Sequence, residues 1–117
     1  MNHQQLIDTI MDNEENIRFA TVCNMDGELQ ISRQRKDIEK FLTSEDTQQS
    51  LDFAVKAWRS RAAHFKKIGK GLYTLTVYEK LKRVTIPLED GFLLLATMNK
   101  TSNQTSIIDE ILAEIYD

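Results

Sequence analysis

The sequence predicts an α+β domain with a five-stranded antiparallel sheet between helices. Three observations predict it. Strand-like runs fall in two groups, within residues 17–33 and 72–98. A long helical stretch separates the groups, so they can join one sheet across it. Apolar stripes at helical spacing mark both ends of the chain. The order is therefore helix, two strands, long helix, three strands, helix.

In the first helix, Leu6, Ile7, Ile10 and Met11 fall at i, i+1, i+4 and i+5 and form one stripe. Residues 17–26 then alternate, with Ile17, Phe19, Thr21, Cys23 and Met25 on one side of a strand. Asp26-Gly27 predicts a two-residue hairpin turn, whose centre needs positive φ. The return strand covers residues 28–33, with Leu29 and Ile31 facing the same way. Residues 37–42 read as a short helical turn or a loop. Thr43-Ser44-Glu45-Asp46 carries a hydroxyl cap followed by acids, a helix start.

That helix is predicted over residues 44–67, with Leu51, Ala54, Val55, Trp58, Ala62 and Phe65 on one core-facing arc. Ile68-Gly69-Lys70-Gly71 stops it. Three further strands follow, over residues 72–79, 83–88 and 92–98, rich in Leu, Val, Thr and Tyr. Lys80-Leu81-Lys82 and Glu89-Asp90-Gly91 supply the turns, and Pro87 belongs near a strand end or a bulge. After a polar loop over 99–105, Ser106 and Asp109 form a second capping signature. Ile107, Ile108, Ile111, Leu112 and Ile115 stripe the final helix.

At 117 residues the chain suits a single domain, 1–117, with one core. Its formal net charge of -3 implies no bulk attraction to nucleic acid, and the basic residues lack aromatics spaced for base stacking. One Cys excludes a disulfide scaffold and favours a reducing compartment. Residues 1–16 contain no apolar run, so no signal peptide is expected. The longest apolar run, residues 92–96, is far short of the ~20 residues that span a bilayer. A cytoplasmic location is the expectation.

Charge is divided by element. Asp8, Asp12, Glu14 and Glu15 at one end and Asp109, Glu110, Glu114 and Asp117 at the other stand without Lys or Arg. Residues 53–78 instead hold Lys56, Arg59, Arg61, Lys66, Lys67 and Lys70 and no acid. A solvated face explains such runs, yet the division predicts an acidic and a basic side.

Catalytic patterns are missing. His3 and His64 sit in different elements, outside any metal-ligand spacing. Cys23 reads as a packed, inert thiol on a core-facing position. The i,i+4 pairs Asp8/Asp12 and Glu110/Glu114 are solvated helix faces rather than acid–base pairs. Ile68-Gly69-Lys70-Gly71 follows a helix and lacks phosphate-loop spacing. Asn99-Lys100-Thr101 and Asn103-Gln104-Thr105 match glycosylation acceptors, which act only in secreted chains. No enzyme, cofactor or metal is expected.

The order of these pieces resembles the roadblock family of dynein light-chain-like domains, within the longin and profilin-like superfold. Asn24-Met25-Asp26-Gly27 followed by Ile31-Ser32 resembles its first hairpin. The long helix ending in Ile68-Gly69-Lys70-Gly71, then a strand, resembles its middle. Residues 87–95, Pro-Leu-Glu-Asp-Gly-Phe-Leu-Leu-Leu, resemble its last hairpin. The resemblance implies strand order 2-1-5-4-3, with residues 72–79 on an edge. It places the terminal helices on one face and the long helix on the other. It also implies a non-enzymatic dimer, joined through that edge strand and the middle helix, that serves small GTPases or motor complexes.

The residues support such a surface independently. Phe53, Ala57, Ser60 and His64 form a second helical stripe, roughly opposite the core arc. Residues 72–78 carry no charge, Gly or Pro, so an open edge there invites pairing. The expected two-fold interface comprises Phe53, Ala57, Ser60, His64, Tyr73, Leu75 and Val77. Lys56, Arg59, Lys66 and Lys67 form a basic flank suited to an acidic protein partner, a small GTPase on the family's pattern. Two alternatives compete with this adaptor. A profilin-like or PAS-like small-molecule sensor would need a polar pocket between sheet and helix, with Thr21, Thr74 and Thr76 as its candidates. The opening of a flavin-binding split barrel resembles residues 17–22 followed by Asp26-Gly27, but that fold needs more strands.

Overall fold

The computed structural model describes residues 1–116; Asp117, counted above among the acids, lies outside them. The elements are α1 (His3–Asn13), β1 (Ile17–Asn24), β2 (Leu29–Gln34), α2 (Ser44–Ala62), α3 (Phe65–Ile68), β3 (Thr74–Val77), β4 (Leu81–Pro87), β5 (Phe92–Asn99) and α4 (Gln104–Tyr116). The strands form one antiparallel sheet in the order β2-β1-β5-β4-β3. The expected order and edge are therefore both present.

The two faces of the sheet carry separate cores. On one, α1 and α4 bury Leu6, Ile7, Ile10, Met11, Ile107, Ile108, Ile111 and Ile115 against Ile17, Ala20, Val22, Val84, Ile86, Leu94 and Ala96. On the other, Leu51, Ala54, Val55 and Trp58 of α2 cover Cys23, Leu93 and Leu95. The acid-rich terminal helices and the basic α2–α3 segment thus occupy opposite faces, as the charge division requires. Asp8 and Asp12 are tied down by Arg33, at 3.0 and 2.9 Å.

The capping logic at Thr43 holds. Its hydroxyl accepts from the Asp46 N–H, and the Asp46 carboxylate accepts from the Thr43 N–H, closing a reciprocal box. Hydrogen bonding from Thr43, first by its backbone N–H and then by its side chain, holds the Asp46 carboxyl below its ordinary range.

The structure corrects several local expectations. The first hairpin loop has three residues, Met25, Asp26 and Gly27. Gly27 N–H donates to the Asn24 carbonyl, and among these residues only Gly27 has positive φ, at 81°. A bulge after Ile17 turns that side chain toward the terminal helices, away from Phe19 and Cys23. A second bulge opposite Val22 and Cys23 pairs Cys23 with Leu29 and Val22 with Ile31, so Leu29 and Ile31 face opposite sides. The middle helix ends at Ala62 rather than 67, leaving Ala62 exposed and Phe65 in the separate turn α3. Strand β3 is confined to Thr74–Val77. Leu81 opens β4 because Tyr78 N–H donates to its carbonyl, which moves the turn to Glu79 and Lys80. Asn103, not Ser106, caps α4: its side chain accepts from the Ser106 N–H.

Candidate interaction surface

The surface begins on the side of α2 that turns away from the sheet. Leu51, Ala54, Val55 and Trp58 take the inward face, so Phe53 is left 75% exposed. Ala57 is half-buried and Ser60 exposed on the same stripe. His64 lies past the end of α2, in the bend that leads into α3. The break thus separates it from the other three.

Strand β3 pairs only with β4, so its outer backbone edge is open. Its side chains divide between the faces. Thr74 lies opposite Thr85 and Thr76 opposite Arg83, on the α2 side, where Trp58 Nε1–H donates to Thr85 Oγ1 at 2.9 Å. Leu75 packs against the terminal-helix core, and Val77, 60% exposed, continues that side. Tyr73 is exposed just ahead of the strand. The expected strand residues therefore lie on or beside the edge strand but divide between its two faces.

Between α2 and the β3–β4 turn runs an open groove of about 760 Å³, with Phe53, Ser50, Tyr78, Leu81 and Arg83 among its walls. Arg83 Nη1 donates to the Tyr78 hydroxyl at 3.3 Å, whereas its buried Nε–H has no partner among the described residues. No sequence signal marked Arg83; it became visible only through the β3–β4 register.

Of the basic flank, Lys56 is exposed on α2. Arg59 is engaged: its Nη2 donates to the Met25 carbonyl and sits 3.2 Å from Asp26 Oδ1. It clamps the first hairpin to α2, as does Gln48, whose side-chain N–H donates to the Gly27 carbonyl. Lys66 and Lys67 lie on α3, exposed and apart from the other two.

Reactive chemistry is sparse. Cys23 is fully buried, and burial, aided by the negative charge of Asp52, pushes its thiol up to about 11. At neutral pH it stays protonated and unreactive. Among the described residues no three His, Cys, Asp or Glu side chains gather as a metal site. His3 pairs with Asp90 at 2.8 Å, far from His64. Of the threonines considered for a sensor pocket, Thr21 is buried and donates its hydroxyl to the Ile31 carbonyl. A smaller cavity of about 200 Å³ lies between Phe19, Thr97 and the 39–44 segment. The open five-stranded sheet rules out the split barrel.

No protein-family model matches the chain, and no curated protein matches it. Solved structures do. The Roadblock/LC7 domain from Streptomyces avermitilis superposes with a TM-score of 0.72 at 9% identity, covering 95% of this chain and 89% of that one. This chain has the roadblock fold. The gliding protein MglB from Thermus thermophilus shares it, with a TM-score of 0.70, 13% identity, and 96% and 86% of the chains covered. MglC from Myxococcus xanthus is similar over 97% of this chain and 99% of its own, at 16% identity and a TM-score of 0.56. With identities this low, the roadblock likeness establishes architecture. Among the described residues no helix is long and apolar enough to cross a membrane.

Proposed function

We propose that the protein is a non-catalytic homodimeric adaptor, a single roadblock-like domain acting in the cytoplasm. The observation that carries this reading is Phe53, 75% exposed on α2 and lining one groove with Tyr78, which follows the edge strand β3. An exposed large aromatic is costly to leave in water, and an open strand edge is a template for pairing with another chain. A two-fold axis near them covers both at once, pairing β3 with its copy and packing Phe53, Ala57 and Ser60 against theirs. His64, Tyr73, Leu75 and Val77 border the seam, Leu75 chiefly through its backbone. The tetrameric arrangement described for MglB supports the capacity of this fold to assemble.

Sedimentation at micromolar concentrations tests the dimer. Wild type is expected as a dimer, and Phe53→Asp should raise its dissociation constant by about 100-fold, because a hot-spot aromatic is lost and a charge enters the seam. A wild-type monomer overturns the reading.

The partner is a protein with an acidic surface, a small GTPase on the pattern of the family resembled, and no nucleic acid. Of the expected basic flank it meets Lys56 on α2; Arg59 is held by the first hairpin, and Lys66 and Lys67 lie apart on α3. Lys56→Glu should weaken binding to purified small GTPases about fivefold at low salt and less at moderate salt. Equal binding by variant and wild type at both salt levels removes Lys56 from the site.

A further inference from the structure

We propose that the tip formed by α3 and the following glycine loop docks on an anionic lipid bilayer. The proposal goes beyond the adaptor reading and does not need it. Its first observation is Ile68, a large aliphatic side chain that is 83% exposed. Leu72, four residues on, is 48% exposed. Large apolar side chains exposed within one short segment call for a partner that removes them from water.

The second observation is charge. Lys66 and Lys67 flank Ile68, and neither is in an ion pair among the described residues. Lys70 completes the set; it pairs with Glu89 at 3.0 Å and stands 4.9 Å from the Tyr116 ring. Residues 53–78 contain no acid at all. Exposed apolar tips ringed by lysines match the boundary of an anionic bilayer, where the ammonium groups meet lipid phosphates and the aliphatic groups enter the acyl region.

The third observation is the way the tip is held. Phe65 turns inward against the second core while Ile68 of the same short helix turns out. Gly71 lies against the Trp58 ring, where a Cβ would stand 3.0 Å from Cη2. The tip is therefore a braced projection. Neither groove described above is lined by residues 54–77, so Ile68 stands on open surface. An exposed aliphatic beside Lys66 and Lys67, held from behind by Phe65 and Gly71, suits the charged and deformable surface of a bilayer.

Co-sedimentation with vesicles tests this, using phosphatidylserine in phosphatidylcholine against phosphatidylcholine alone. The full chain should partition measurably onto the anionic vesicles and not onto the neutral ones. Ile68→Asp should lower that partition about tenfold, and Lys66→Glu with Lys67→Glu by more than tenfold. Circular dichroism confirms that each variant is folded; the substituted side chains are exposed, so the fold should be kept. Absence of wild-type binding to anionic vesicles overturns the proposal. Binding that is lost with the lysines but indifferent to Ile68→Asp overturns the insertion of the tip. Recruitment by an acidic protein with no vesicle binding assigns the tip to a protein partner and equally overturns it. Lys56→Glu should leave vesicle binding near wild type, which separates this surface from the α2 part of the flank.

Discussion

Trp58→Ala is expected to cost about 4 kcal/mol of unfolding free energy, the range for emptying a buried aromatic site. Trp58 is 3% exposed and is the largest member of the second core, which has only seven buried residues. Truncation removes the ring that Leu51, Val55 and Phe65 pack around and takes the indole donor from the Thr85 hydroxyl, 2.9 Å away. It also strips the support beneath Gly71 and the ring beside Arg61, whose guanidinium lies 5.0 Å from its centroid. Trp58→Phe keeps part of the apolar volume but leaves Thr85 without its donor, and should cost about 1–2 kcal/mol. Urea unfolding in a Phe53→Asp background reads both values free of any contribution from self-association. A loss below about 1 kcal/mol for the Ala variant would mean that the α2 face contributes little to the fold.

The terminal helices were legible in the sequence because each has one wet and one dry side. Four residues of α1 and four of α4 fall on their stripes and are buried. Strand faces were harder to read. Both faces of β1 are covered, so the unbroken buried run Ala20, Thr21, Val22 and Cys23 hides the alternation that reveals which way a side chain points. Two bulges then reverse Ile17 and Leu29, and nothing in the local residue types announces either. The order of the strands followed from the resemblance rather than from residue patterns, since pairing is long-range. The break between α2 and α3 has no Gly or Pro to mark it. After it, Phe65 packs on the second core and Gly71 closes on Trp58, contacts that only the folded chain brings together. Of the surface residues, Phe53 stood out because helical spacing makes it face away from the core. Ile68 did not, because a residue beside a helix stop has no face until the loop is built. Arg59 reads as one more surface charge in the sequence, whereas the fold spends it on the first hairpin.

That convergence on Trp58 makes Gly71→Ala the sharper probe. Gly71 is constrained by proximity: a Cβ would stand 3.0 Å from Trp58 Cη2 and closer still to Cζ3, with Phe65 Cε1 at 3.5 Å. Trp58 is buried and hydrogen-bonded through its indole, so it cannot swing aside cheaply. The substitution should therefore cost about 2 kcal/mol, the ordinary penalty for overpacking, despite adding only a methyl group. A phenylalanine ring at 58 stops short of the space held by Cζ3 and Cη2. In a Trp58→Phe background the same Gly71→Ala change should then cost less than about 0.5 kcal/mol, leaving a coupling energy above about 1 kcal/mol between the two sites. Additive effects across that cycle would show that the loop after α3 does not rest on the indole. The brace proposed for the exposed tip would fail with it, while Ile68 and the lysines could still be tested on vesicles. A strong coupling would tie the lip of the second core to the rigidity of the tip, so that Trp58 would support the interior and the proposed docking surface through one ring.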